Sequence, residues 1–184
     1  WQHFDPEDSA NPQRVVSLLQ TGSGSDSVLW ATTVGRGLAA LYKGRWHFHG
    51  KPEGLPDDSY YGITLIADAT GRQVLWLGSL NNGVVRVDIT NPARPIWIRE
   101  PALPTPPHPY VYGVVRDGAG DLILCTDYGA ARWRPLPDGG FEAMRFQRSD
   151  GLPHDECNAG ALHTDSRGRV WAGTIVGAAV YLPR

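Results

Sequence analysis

The sequence has few cysteines and few methionines, and it contains no long run of apolar residues. Only two cysteines, Cys125 and Cys157, occur among 184 residues, too few for a disulfide framework to hold the fold together. We expect Cys125 to be a buried free thiol. One methionine against seven tryptophans indicates repeated aromatic anchors rather than helix packing. No run of about 18 apolar residues occurs, so we expect no membrane-spanning helix.

Clusters of basic residues are also lacking. The 17 Lys and Arg residues against 19 Asp and Glu residues give a formal net charge of −2, which argues against nucleic acid as a partner. The glycines lie at repeated turn positions and form no phosphate-binding loop, and no serine has the Gly-x-Ser-x-Gly setting of a hydrolase nucleophile. We therefore expect no cofactor.

The sequence does contain a repeated segment of short strands and turns. Its most complete copy runs from Asp165 to Gly177, where an Asp-x-x-Gly turn precedes a tryptophan. Aspartate can hydrogen-bond its own backbone in a turn, glycine tolerates a positive φ, and tryptophan anchors a half-buried strand. The equivalent anchors follow one another at steps of 46, 47 and 48 residues, at Trp30, Trp76, Ile123 and Trp171.

A second marker recurs with nearly the same period. A Leu-Pro pair lies in each connection between repeats, and the leucines Leu55, Leu103 and Leu152 are 48 and 49 residues apart. A period of roughly 40 to 50 residues made of strands and turns is typical of a β-propeller. The sequence therefore predicts an all-β propeller of four blade equivalents, each built from four antiparallel strands.

The predicted propeller is a single domain over residues 1–184, and its last blade is one strand short. We expect residues 1–4 to supply the missing outer strand, because this would cover an exposed sheet edge. Three arrangements stay open: a small closed ring, a half or fragment of a larger propeller, and a homodimer whose two chains form one larger ring. The predicted blades are residues 14–49, 61–99, 110–147 and, with three strands, 159–182.

The repeat resembles that of a known family. The Asp-x-x-Gly-x-x-Trp-x-Gly-Thr segment, followed by a glycine turn and preceded by Gly-Leu-Pro, is similar to the two-component regulator propeller repeat; Asp165 to Gly177 matches it best. The resemblance implies a sensor domain of bacterial hybrid histidine kinases and related regulators. It also implies a periplasmic or otherwise extracytoplasmic location, ligands such as glycans, and usually more blades than four.

The connections between blades carry the candidate functional residues. Each one leads from an outer strand to the next inner strand, so we expect these residues to line one end of the central channel. Aromatic rings and convergent polar groups in a concavity suit a small molecule or a sugar, although packing or contact between subunits would explain them as well. The candidates are Tyr60, Tyr61, His108, Tyr110, Tyr112, His154, Asp155, Glu156 and Asn158. The turns over residues 34–36, 80–82 and 127–128 open on the same end and are weaker candidates.

Two chemical alternatives compete with a binding function. The acidic pairs at residues 57–58 and 155–156 follow two of the Leu-Pro markers, and paired carboxylates are what a polysaccharide hydrolase or lyase would need. His47 and His49 share one face of a strand and could bind a metal, but solvent-facing histidines are the simpler interpretation. We therefore expect a non-enzymatic sensing or interaction module without a metal.

Overall fold

Fifteen strands form four antiparallel sheets in the part of the chain that the computed structural model describes, residues 4, 12, 14–68, 70–99 and 101–183. The predicted all-β architecture is confirmed, and within these residues the only helical segments are three short 3₁₀ turns, Gly24–Asp26, Lys51–Glu53 and Arg148–Asp150. The strands are β1 Val15–Thr21, β2 Val28–Thr33, β3 Leu38–Tyr42, β4 Arg45–His49, β5 Tyr60–Ala67, β6 Gln73–Ser79, β7 Val84–Asp88, β8 Ile96–Ile98, β9 Val111–Arg116, β10 Leu122–Thr126, β11 Gly129–Pro135, β12 Phe141–Phe146, β13 Cys157–Thr164, β14 Val170–Thr174 and β15 Gly177–Tyr181.

Each sheet is an antiparallel meander and forms one blade of a four-bladed β-propeller. The first three blades contain β1–β4, β5–β8 and β9–β12, and the last contains β13–β15. Strands β1, β5, β9 and β13 are the inner strands, because β5 lies beside β1 and β9, and β9 lies beside β13. Short strands joined by tight turns suit this meander, since two-sided apolar strands bury both faces between neighbouring blades.

The core consists of layers between successive blades. Trp30 of β2 and Leu38 of β3 pack against Leu75 and Val87 of the second blade, and all four are fully buried. Trp76 of the second blade packs in the same way against strands of the third. In the first three copies the repeat anchors therefore fill equivalent interblade positions, as the sequence predicts.

The fourth anchor, Trp171, is an exception to the prediction that all four anchors are buried. Trp30, Trp76 and Ile123 are 0%, 7% and 3% exposed, whereas Trp171 is 41% exposed. Trp171 lies on the face of β14 opposite to Ala172, which packs against the third blade, and no described sheet covers that face. Its indole N–H donates to a carboxylate oxygen of Asp165 at 3.0 Å instead.

The predicted outer strand over residues 1–4 lies almost entirely outside the described residues. Phe4 is described, and its ring packs edge to face on Trp46 of the first blade, with centroids 5.9 Å apart. The last blade has three strands within the described part of the chain. How the ring closes and whether two chains pair stay predictions, which the molar mass from light scattering would check.

Both cysteines are buried free thiols in the layer between the third and fourth blades. Cys125 lies on β10 and Cys157 begins β13, so each of the two blades contributes one thiol. This confirms the expectation for Cys125 and shows that Cys157 has the same environment.

Candidate ligand-binding site at the channel mouth

The four inner strands line a central channel. A cavity of about 360 Å³ lies on its axis and is lined by all four strands, including Val16 of β1, Ile63 of β5, Tyr112 of β9 and Leu162 of β13. The strands approach closely, since a Cβ atom on Gly62 would lie only 2.6 Å from the Cα atom of Gly113. The two glycines therefore allow the second and third blades to converge at the axis.

Each inner strand departs from regular pairing close to its first residue. The register shifts between Val15 and Ser17, between Tyr60 and Ile63, opposite Cys125 and Thr126, and between Cys157 and Leu162. Such a β-bulge leaves residues unpaired and redirects their side chains. The residues at these four bulges are Val16, Tyr61 with Gly62, Tyr112, and residues 158–161.

Three tyrosines meet where the second and third inner strands begin. The ring centroids of Tyr61 and Tyr110 are 4.8 Å apart, those of Tyr110 and Tyr112 are 4.6 Å apart, and those of Tyr61 and Tyr112 are 6.1 Å apart. The hydroxyl of Tyr112 donates to a carboxylate oxygen of Asp127 at 2.8 Å. All four side chains are half-buried. We call this group, Tyr61, Tyr110, Tyr112 and Asp127, the channel mouth.

The environment keeps the tyrosine hydroxyls protonated. Burial, together with a hydrogen bond to Tyr61, raises the pKa of Tyr110 far above its usual value. Burial, the bond to Asp127 and the charge of Glu156 raise the pKa of Tyr112 in the same direction. These hydroxyls are neutral at pH 7, as ordinary tyrosines are, and the proton of Tyr112 is already donated to Asp127. The oxygen of Tyr112 and the carboxylate remain acceptors for the hydroxyl groups of a polyhydroxylated ligand.

A titration of tyrosine absorbance should show this environment. We expect Tyr110 and Tyr112 to ionise at higher pH than exposed tyrosines, and the unfolded chain to ionise all seven near the usual pKa of about 10. A raised pKa adds stability below the unfolded value, and that stability is lost as the pH rises through the folded value. Tyr112→Phe should remove one of the groups that ionise at high pH. If the high-pH part of the titration stayed unchanged, the assignment would be contradicted.

Tyr60 does not belong to the accessible site. It begins β5, is fully buried in the layer between the first two blades, and its hydroxyl accepts the backbone N–H of Asp57 at 3.2 Å. Adjacent residues of a strand point to opposite sides, so Tyr60 faces the core while Tyr61 faces the channel. Of the two neighbouring candidates, only Tyr61 can contact a ligand.

The two candidate histidines hold the connections in place. The Nδ1 atom of His108 accepts the backbone N–H of Tyr110 at 3.2 Å, and Nδ1 of His154 accepts that of Glu156 at 3.0 Å. Both bonds span two residues and close the same kind of turn just before an inner strand. The histidines therefore position the residues that follow them, and both rings remain half-buried beside the channel end.

Most of the candidate carboxylates are occupied by the backbone. Asp58 and Asp155 accept the N–H groups of Lys51 and Arg148, the first residues of two 3₁₀ turns, at 2.7 and 2.8 Å. Asp57 is buried and accepts several N–H groups. Within the described residues the carboxylate of Glu156 has no hydrogen-bond partner, so it and Asp127 are the acidic groups left to face the channel.

The remaining candidates divide between the channel mouth and the scaffold. The amide of Asn158, exposed at the fourth bulge, donates to the Thr174 carbonyl at 3.0 Å. Of the three weaker turn candidates, residues 127–128 bring Asp127 to Tyr112, whereas Asn81 and Asn82 hydrogen-bond Asp57. In the described part of the chain no group of three or more His, Cys, Asp and Glu residues could hold a metal ion, and no helix is long and apolar enough to cross a membrane.

The fold is a β-propeller with three contacting tyrosines at one end of its central channel, and one of them, Tyr112, also lines the cavity of about 360 Å³ between the inner strands. The same fold occurs in the extracellular domain assigned to the hybrid two-component system BT3049 of B. thetaiotaomicron, with a TM-score of 0.74 and 17% identity over 100% of this chain and 24% of that chain. The extracellular domain assigned to BT4673 of the same organism has a TM-score of 0.66 and 18% identity over 98% and 23% of the two chains. This chain thus spans about a quarter of the length of these domains.

A further solved structure of similar fold is an enzyme. Catalytically inactive virginiamycin B lyase from Staphylococcus aureus, solved with quinupristin, has a TM-score of 0.57 and 17% identity over 97% of this chain and 58% of that chain. No protein-family model and no curated protein sequence matches the chain. The likeness to these structures shows the shared propeller fold, which is the fold that the two-component regulator repeat implies.

Proposed function

We propose that this chain is a non-enzymatic sensing module of an extracytoplasmic bacterial signalling protein, which binds a small molecule or glycan at the channel mouth. The observation that carries the proposal is the contact of Tyr110 with Tyr61 and Tyr112, which lie at two neighbouring bulges, and the bond of one hydroxyl to Asp127. Flat aromatic faces pack on sugar rings, and the neutral hydroxyls and the carboxylate can pair with sugar hydroxyls.

The structural neighbours support the signalling part of this proposal. Two extracellular domains assigned to two-component systems share the fold over nearly the whole of this chain. A sensor needs a site that binds reversibly, and the half-buried channel mouth is accessible from one end of the propeller. The output of the signal then depends on other parts of the signalling system.

The arrangement of acidic groups favours binding over turnover. A glycosidase mechanism needs two carboxyl groups that are free to exchange protons with the substrate. Asp57, Asp58 and Asp155 are occupied by backbone donors, and Asp127 is bonded to Tyr112. The free carboxylate of Glu156 and the similarity to a lyase make a polysaccharide lyase or hydrolase the second candidate.

Calorimetry against a panel of neutral oligosaccharides tests both candidates if the same mixtures are afterwards analysed for products. We expect saturable binding of at least one saccharide that is recovered intact. Recovery of shortened or unsaturated products, absent from a Glu156→Gln sample, would assign the chain to the enzymes instead. No binding across the panel would contradict the proposed glycan ligand.

The Tyr112→Phe variant tests whether the saccharide binds at the channel mouth. The hydroxyl of Tyr112 donates its proton to Asp127 and can accept one from a ligand hydroxyl, so its loss should weaken binding up to about 10-fold, since a hydrogen bond between neutral groups is worth roughly 0.5–1.5 kcal/mol. Tyr181→Phe is the matched control, because it removes a hydroxyl from a half-buried tyrosine of the last blade, away from the channel mouth. Equal affinities for both variants would exclude Tyr112 from the site.

A further inference from the structure

A second concave surface lies on the outer side of the propeller, between the first two blades. It has a volume of about 890 Å³, and its lining includes His47 and His49 of β4, Glu53 of the following 3₁₀ turn, and Arg94, Trp97 and Arg99 on and beside β8. We call this surface the outer groove. No residue of the channel mouth lines it, and its volume is in the range of small-molecule sites.

The charge of the outer groove is positive although the protein carries a formal net charge of −2. The guanidinium groups of Arg94 and Arg99 form no ion pair within the described part of the chain. Arg99 lies over the ring of Trp97, 4.3 Å from its centroid, and this contact orients the guanidinium group. The carboxylate of Glu53 accepts the backbone N–H of Gly50 at 2.8 Å, so the groove's one acidic group is engaged by the connection.

His49 lies deep in the outer groove and has an unfilled hydrogen-bonding position. It is 7% exposed, and burial lowers the pKa of its imidazole, which is therefore neutral at pH 7. The backbone of Pro92 accepts a hydrogen bond from the ring. The Nε2 atom is buried and has no hydrogen-bond partner among the described residues, so the wall of the groove contains an unsatisfied acceptor that is closed to solvent.

We propose that the outer groove binds an acidic oligosaccharide, with its carboxylates paired to Arg94 and Arg99 and one of its rings against Trp97. An arginine binds a carboxylate through two parallel N–H bonds. Two arginines in one groove therefore favour a ligand with carboxylates on neighbouring uronate units over a ligand with a single carboxylate. The ring of Trp97 is half-buried and lines the groove, so its exposed part can contact a sugar ring. This site is separate from the channel mouth and takes a charged ligand where the channel mouth takes a neutral one.

Calorimetry at neutral pH and physiological ionic strength tests the ligand class with three probes. Trigalacturonate carries both the rings and the carboxylates, maltotriose has the same number of rings without charge, and citrate has carboxylates without rings. We expect trigalacturonate to bind at least about 10-fold more tightly than either of the others, as expected for charge-assisted bonds combined with ring packing. Equal binding of maltotriose or citrate, or no binding of trigalacturonate, would overturn the proposal.

Matched arginine variants test the location. Arg94→Gln and Arg99→Gln should each weaken trigalacturonate binding about 10-fold. Arg167→Gln removes the same charge from the exposed turn before β14 and should leave the affinity within twofold. Unchanged melting temperatures would show that the variants fold. Losses in Tyr112→Phe but not in Arg99→Gln would place the ligand at the channel mouth and overturn the outer-groove assignment.

Discussion

Replacing Trp30 with alanine should lower the free energy of unfolding by about 3–5 kcal/mol, whereas the same change at Trp171 should cost only about 1 kcal/mol. The two residues occupy the same position of the repeat. Trp30 is 0% exposed and its indole N–H donates to the Thr21 hydroxyl at 2.8 Å, so its loss leaves a large cavity between two blades. Trp171 is 41% exposed, and removing it creates no enclosed cavity.

Urea unfolding of the two variants and the unchanged protein, followed by far-ultraviolet circular dichroism, measures this difference. The slope of the unfolding free energy against urea concentration should stay the same, so that midpoints report stability directly. Equal losses at the two positions would show that a second chain covers Trp171 in solution. In that case the molar mass from light scattering should be larger than that of one chain.

Asp57→Ala should destabilise the protein by about 3–5 kcal/mol although it removes only a small side chain. The carboxylate is 3% exposed and accepts hydrogen bonds from the N–H groups of Asp58 and Asn81 and from the side-chain amide of Asn82. These hydrogen bonds link the segment that follows the first Leu-Pro pair to the turn between β6 and β7. Without the carboxylate, these donors and the N–H of the buried Ser59 lose their acceptor.

The neighbouring Asp58 provides the control. Its carboxylate accepts the N–H of Lys51 at 2.7 Å and is half-exposed, so Asp58→Ala should cost about 1 kcal/mol. The two variants remove the same charge at adjacent positions, and thermal unfolding followed by calorimetry compares them. A loss at Asp57 no greater than that at Asp58 would contradict a structural role for the buried carboxylate.

The repeat made the architecture predictable, because two markers with one period place the same strand at the same position of each blade. Trp30 and Trp76 are buried where the repeat predicts. The exposure of Trp171 was not predictable, because the period identifies the face of the strand on which a residue lies. Whether another sheet covers that face depends on how many blades surround the axis.

The site was predictable in composition but not in geometry. The tyrosine-rich connections indicated residues that the fold brings together at one end of the channel, yet sequence alone did not separate Tyr60 from Tyr61. A β-bulge adds residues without an obvious sequence signal, and the register after it decides which side chain faces the channel. The acidic pair at residues 57–58 suggested a catalytic alternative, because carboxylates serve both in catalysis and in backbone capping. Only the hydrogen bonds of the structure distinguish the two roles.

A crystal structure of the protein with the neutral saccharide that gives the largest calorimetric response tests the central claim most directly. We predict that the intact saccharide contacts the rings of Tyr61, Tyr110 and Tyr112 and that one of its hydroxyls lies within hydrogen-bond distance of Asp127. Density for the saccharide only elsewhere on the propeller, or density for a cleaved product beside Glu156, would contradict a non-enzymatic binding site at the channel mouth.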